Sequence, residues 1–421
     1  MRISSTMMTG NYLKQLNGTY EQYTKLMEQS DGSKLHRSSD NAVGYSKYLR
    51  FQNSLSTNEQ FQGNVKTAIS WMKTADSTLV NVTDLLQTFK AKVEQASNST
   101  NNASDMKDIA KELLSSVQEQ VADMNAQVGD RYLFSGQSDT TMPFRITDDK
   151  KDRGETKTLD EAQASFFSDV NTGGQVTQML KLTGNDGNDY YMNTQNGYIF
   201  TADFVNNGYK NETTYNAATQ SVGQDASFKV ADHFDKYGVK TADYTTTVNG
   251  VELSLATTKQ YIVEYHGDSK YISMVKKTGG VDQATDAINV TGQDVWGTDI
   301  FDCDNDVASG TAMLNQLLYS VAKIDSNDYH WAGSDGMTIA DAAHASVLGS
   351  QTKMAARHQA YTASTSMLTT QNEAITGDIS DVSSTDVAYL ATKLMEYQTI
   401  YSMSLSVGAK ILPGSLADYL N

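Results

Sequence analysis

A chain of 421 residues with 39% hydrophobic content has material for two to four packed domains. Its 50 acids against 33 bases, a net charge of -17, set it against nucleic acid and anionic membrane surfaces, because phosphate binding runs on lysine and arginine. The single cysteine, Cys303, excludes an intrachain disulfide and a cysteine zinc site, and no segment approaches transmembrane length.

The chain opens with "MRISSTMMTGNYLKQLNG", which holds no continuous apolar core of signal-peptide length. The protein is therefore expected to be cytoplasmic, or to leave the cell by a route that needs no cleaved signal. Leu13, Leu16, Tyr20, Tyr23 and Met27 then fall at helical spacing, in a stripe too short to be stable alone in water. A polar break follows, in which Ser38, Ser39, Asp40 and Asn41 are expected to cap the next helix through their side-chain oxygens. That helix is expected from about Asp40 to Ser97, roughly 80 Å of rod. Phe61, Val65, Ala68, Met72, Ala75, Leu79, Val82, Leu86, Phe89, Val93 and Ala96 alternate along it at steps of four and three, a seam that needs a partner helix. "SNSTNNASD" reads as a turn with Ser104 as N-cap, before a second stripe through Met106, Ala110, Leu113, Val117, Val121, Met124 and Val128.

From about Ile146 the composition turns to threonine, tyrosine, glycine, asparagine and aspartate, and 25 acids face 13 bases between 146 and 310. This part reads as an inserted β-rich domain with its ends close together. "TTTVNGVELSL" sets Asn249-Gly250 between two alternating runs, a strong hairpin signal. "YIVEYHGDSKYISMV" reads as a second hairpin turning at Gly267-Asp268, and "TGNDGNDYY" as a hairpin turn. Helical spacing returns at Ala340, Ala343, Val347, Ser350, Met354, His358, Tyr361, Thr365, Leu368 and Ile375. After the polar "TGDISDVSST" it resumes at Val387, Leu390, Leu394, Tyr397 and Tyr401. The plan is thus mirrored about the insert, and the simplest pairing sets N-terminal stripes against C-terminal ones.

Chemistry-bearing motifs are absent. No HExxH, P-loop or G-x-S-x-G elbow occurs, and the six histidines are scattered. "DCDNDVASG" places Asp302, Asp304 and Asp306 as a calcium loop would, but Val307 stands where glycine is needed and Met313 where glutamate is needed. It reads as a polar cap at a helix start. The residues alone give a helical stalk with paired ends and an acidic outer domain, with no enzymatic site, cofactor or metal expected.

Two stretches carry a family resemblance. "MEQSDGSKLHRSSDNAVGYSKYLRFQNSL" resembles the joint between terminal and stalk helices in the bacterial flagellin superfamily. "GDRYLFSGQSDTTMPF" from Gly129 resembles a segment of its hook-associated protein 3 family, the hook–filament junction proteins, as does the opening "MRISSTMM". The closing "GAKILPGSLADYLN" is similar to the superfamily's last segment, with Pro413 a departure. The resemblance covers 1–144 well, 311–421 less closely, and the middle not at all.

It implies a mainly α fold with an inserted β domain. Residues 1–39 with 384–421 would form a terminal coiled-coil domain, unordered in the free subunit. Residues 40–145 with 303–383 would form the helical stalk, with a β-hairpin near 131–144, and 146–302 the outer domain. The terminal stripes would be the assembly interface, the break at 38–41 a hinge, and the seam the stalk core. The implied role is a structural ring at the flagellar hook–filament junction, on the bacterial flagellum outside the cell. The implied partners are further copies of the chain, the hook-side junction protein, flagellin, an export chaperone and the type III export apparatus. Two alternatives stay open: a flagellin filament subunit, against which "RYLFSG" discriminates, and an outer domain with glycan-binding or protease activity.

Overall fold

The structure, a computed structural model, describes residues 5–167, 177–194, 197–208, 234–235, 238–240, 244–273, 287–301 and 310–411. Cys303, the Asp302–Asp304–Asp306 segment and Pro413 lie outside these residues. The fold class expected from the sequence is the one observed. Helices α1 (Ser5–Glu28), α2 (Ala42–Ala96) and α3 (Ala103–Met124) precede the insert. Within it lie strands β1 (Gln127–Val128), β2 (Arg131–Tyr132), β3 (Phe144–Ile146), β4 (Lys151–Gly154) and β5 (Thr156–Thr158), then helix α4 (Glu161–Phe167). Strands β6 (Gln178–Gly184), β7 (Asp189–Met192) and β8 (Ile199–Thr201) lead to helix α5 (Ala202–Asn206). Next come β9 (Phe234–Asp235), β10 (Gly238–Val239), β11 (Tyr244–Val248), β12 (Val251–Leu255), β13 (Thr257–Gln260), β14 (Val263–Tyr265) and helix α6 (Gly292–Trp296). Helices α7 (Ala312–Asp325), α8 (Met337–Ser383) and α9 (Val387–Ile411) close the described chain. None is long and apolar enough to cross a membrane.

The chain divides into two compact units, 64–364 and the two ends, 1–63 with 365–421. In the larger unit the seam of α2 is its core. Val65, Met72, Leu79, Val82, Leu86, Phe89 and Val93 are all 0% exposed, as are Ala340, Ala343, Val347 and Met354 of α8. The two helices meet through a Lys90–Asp341 ion pair and through Gly336, where a Cβ would stand 3.2 Å from Val93 Cγ1. On its other flank α2 joins α3 through Lys92–Glu112.

The N-cap of α3 is Asn102 and not Ser104. Asn102 Oδ1 accepts from the amides of Ser104 (2.8 Å) and Asp105 (3.0 Å), and Asp105 returns a bond to the Asn102 amide, a closed capping box.

The outer sheet is antiparallel, in the order β11-β12-β6-β7-β8, with β5 also on β6. Both of its faces are covered, so alternate residues of one strand feed different cores. Leu180, Leu182, Met192 and Ile199 join Leu253 and Phe301 on one side. Met179, Tyr191 and Phe200 join Phe167 and Phe204 on the other. The Asn249-Gly250 hairpin forms as expected, both residues at positive φ (51° and 82°), which suits a primed two-residue turn. The β6–β7 turn also forms where expected.

The second expected hairpin does not form. Val263–Tyr265 pairs with Phe144–Ile146, and Ser273 bridges Ala287. The hairpin near 131–144 lies earlier, with Gln127–Val128 on Arg131–Tyr132 about Gly129 (φ 68°).

Candidate assembly interface

The smaller unit holds the terminal stripes and the polar break. Helix α1 lies along α9. Tyr12 donates its hydroxyl to the Ser404 carbonyl (2.8 Å), and the rings of Tyr20 and Tyr401 stand 5.6 Å apart. Gly408 fits under Tyr12, where a Cβ would collide with the phenol.

The pair covers little of its own apolar surface. Of the expected interface residues only Leu390 is buried, at 5% exposure. Leu16, Tyr23, Leu394, Tyr397 and Tyr401 are half-buried, while Leu13, Tyr20, Met27 and Val387 are exposed. Around them Met7, Met8, Tyr389, Met395, Ile400, Met403, Leu405 and Val407 are exposed as well. An exposed apolar face of this kind makes the two helices a candidate interaction surface. The periodicity of the sequence found one stripe on each helix. It missed the outward-facing residues of α9, whose signal was the scatter of Met395, Ile400, Met403, Leu405 and Val407 off the stripe.

The joint is built from short-range polar contacts and one antiparallel bridge. Gly32 ends a 3-10 turn at φ 91°, a left-handed conformation that glycine adopts without strain. The chain then crosses 383–385: the Lys34 amide donates to the Ser383 carbonyl (2.7 Å) and the Thr385 amide to the Gly32 carbonyl (2.9 Å). Asp40 Oδ2 accepts from the amides of His36 (3.2 Å) and Arg37 (2.9 Å), and Asn41 Oδ1 accepts from the Gly44 amide (2.9 Å). Asn41 thus caps α2, and Asp386 caps α9 through the Tyr389 amide (3.0 Å). Ser38 and Ser39 stand exposed in the turn and Asp40 bonds back to the amides of His36 and Arg37, so of the four residues expected to cap α2 Asn41 is the one whose side chain bonds into the helix.

Ion pairs brace the joint: Lys25–Asp40 at 3.4 Å, His36–Asp31 at 2.8 Å, and Arg37–Glu28. The Arg37 amide and its neighbours hold the Asp40 carboxyl below the ordinary carboxylate value, and the His36 ring does the same for Asp31. Leu35, missed from the sequence, is the buried apolar residue of the joint.

In the larger unit, the "RYLFSG" stretch is an anchor. Leu133, Phe134 and Ser135 are buried, and the Phe134 carbonyl accepts from the Tyr265 hydroxyl (2.8 Å) and the Gly292 amide (3.1 Å). Gly136, at φ 72°, packs so closely on Asp268 that a Cβ would stand 2.4 Å from its carbonyl oxygen. Burial raises the Tyr265 phenol well above the ordinary tyrosine value, which keeps it a donor. Among the described residues no group of three or more histidine, cysteine or acidic side chains is placed to hold a metal ion.

Residues 3–139 match the family model for the bacterial flagellin N-terminal helical region. Among curated proteins, a flagellin of Clostridium tyrobutyricum is 28% identical over 114 residues, 27% of this chain and 30% of that one. The match therefore spans less than a third of that relative's length.

Three solved structures are similar. A Vibrio parahaemolyticus chain described as a flagellar hook-associated protein is 15% identical, with a TM-score of 0.42 over 82% of this chain and 100% of that one. The flagellar junction protein FlgL of Legionella pneumophila is 13% identical, with a TM-score of 0.33 over 74% and 98%. FlgL of Xanthomonas campestris is 14% identical, with a TM-score of 0.34 over 78% and 99%.

Proposed function

We propose that this chain, whose residues 3–139 match the flagellin N-terminal helical region, is a structural subunit of the bacterial flagellum that forms the junction between hook and filament. The observation that carries the reading is that match, together with the apolar residues left exposed on α1 and α9. Two helices that bury one large apolar residue between them gain little by pairing alone. They gain far more when Met7, Leu13, Tyr20 and Met27, and Tyr389, Met395 and Met403, are covered by neighbouring copies. Ordering of the terminal helices is then coupled to assembly. The copies form a ring whose neighbours are the hook-side junction protein and flagellin. The chain reaches that place through the flagellar type III export apparatus with an export chaperone. No enzymatic role is proposed.

A flagellin filament subunit is the second reading, and the curated flagellin relative favours it. Support for the junction lies in the Arg131–Gly136 anchor, the stretch that resembles the junction family. Deleting the gene tests the choice. Bare hooks with flagellin free in the medium support the junction reading. Filaments of normal length on their hooks, or loss of the filament protein itself, would overturn it.

A further inference from the structure

A second buried polar cluster lies where the outer strands meet α7, far in sequence from the assembly residues. Arg153 on β4 makes a paired bond with Asp299: one terminal guanidinium nitrogen donates to Oδ1 (2.9 Å) and the other to Oδ2 (3.1 Å). The guanidinium lies 4.3 Å over the Phe301 ring, and Asp299 also accepts from the side chain of Asn315. The two charges therefore cancel inside the fold.

Around this pair, polar atoms are left over. Arg153 Nε, Thr156 Oγ1, Gln178 Nε2, Gln260 Oε1 and Gln316 Nε2 are all buried and have no hydrogen-bond partner within the chain. Their residues are between 2% and 8% exposed. Three of the leftover atoms are fixed by bonds elsewhere on the same side chain, that of Arg153 by the pairing with Asp299. Gln260 spends Nε2 on the Asn315 carbonyl (3.0 Å), which turns Oε1 into the free acceptor. Gln316 spends Oε1 on the Thr158 hydroxyl (2.6 Å), which leaves Nε2 the free donor. Leaving a buried polar atom without a partner is unfavourable, so five together call for a guest.

All five residues line one cavity of about 10 Å³. That volume is room for about one water molecule. The chemistry selects among guests of that size. The Arg153–Asp299 pair leaves no net charge, so the guest is neutral. Three N–H donors, one carbonyl acceptor and one hydroxyl demand a guest that both accepts and donates. A halide would leave Gln260 Oε1 unmet, and a cation would face three donors.

We propose that this cavity binds one ordered water molecule, which donates to Gln260 Oε1 on β13 and Thr156 Oγ1 on β5 and accepts from two of the three N–H donors, Arg153 Nε on β4, Gln178 Nε2 on β6 and Gln316 Nε2 on α7. The bound water is then a structural part of the fastening between the outer strands and α7, and it shares the burial of the ion pair beside it.

Crystals of the full chain soaked in bromide and measured at the bromine edge test this. The expected result is a single peak within about 3.2 Å of at least three of the five atoms, without anomalous signal. No peak, or an anomalous one, overturns the proposal. Thr156→Val gives a second readout that does not need crystals. If the hydroxyl holds the water, the nearly isosteric valine lowers Tm. If the hydroxyl holds nothing, valine removes an unmet polar group and Tm stays level or rises, which also overturns the proposal.

Discussion

Asp40 accepts two backbone amides and faces Lys25 across 3.4 Å, so its charged form is favoured in the folded joint. Its carboxyl titrates below the ordinary value of 3.8 when folded. The sign follows: the contribution is whole above about pH 4 and is lost as pH falls through the lower, folded value. Corrected amide protection at Arg37, whose N–H bonds Asp40, should hold above about pH 4 and fall as the pH drops below it. Asp40→Asn should abolish that fall, and a pH-independent protection in the wild type would contradict this account. Arg153 presents a larger stake. Removing it as Arg153→Met takes the paired guanidinium from the buried Asp299 carboxylate, which keeps its bonds from Asn315 and the Phe301 amide. The loss should be about 3 kcal/mol, the low end of the range for a broken buried pair, read from the urea midpoint. A loss under about 1 kcal/mol would mean that the pair is solvated.

Helices α2 and α9 show opposite ways of using one pattern. Both carry apolar residues at steps of three and four, yet the α2 seam is buried from Val65 to Ala96, with Phe61 half-buried, and most of the α9 stripe is not buried. Leu86→Asp on α2 should therefore cost at least about 3 kcal/mol, combining lost packing with a buried charge. A variant as stable as wild type would place that seam in solvent. For α1 and α9 the expectation runs the other way. In the free subunit, amide exchange should find little protection at Leu13–Met27, and strong protection there would refute coupling of order to assembly.

The long helices were legible because their signal is local and repeats, from Phe61 to Ala96 in α2. The hairpin at Asn249-Gly250 was legible for the same reason. The strand Val263–Tyr265 was misread because its partner lies more than a hundred residues away, and Gly267 serves a close approach instead. A Cβ there would stand 2.4 Å from the Tyr265 hydroxyl. The cap of α3 was within reach: Asn102 and Asp105 stand at capping-box spacing, but Ser104 drew the reading. Arg153 with Asp299, and Tyr265 with Phe134, are pairings that no local pattern announces.

Along the whole chain, exposed apolar side chains concentrate in the two ends and acidic charge in the middle. Most of the large apolar side chains that stand exposed among the described residues lie on α1 and α9, while the segment 146–310 holds 25 acids against 13 bases. Such a division suits a subunit whose ends meet copies of itself and whose insert meets water. The described sites involve packing, caps and anchors, and the Arg131–Gly136 stretch that resembles the junction family is itself an anchor between α3 and the insert. The most direct test is immunogold electron microscopy of sheared flagella with an antibody raised to the segment 148–299. The junction account predicts a narrow band of label between hook and filament. Label along the whole filament would contradict it and make the chain a filament subunit.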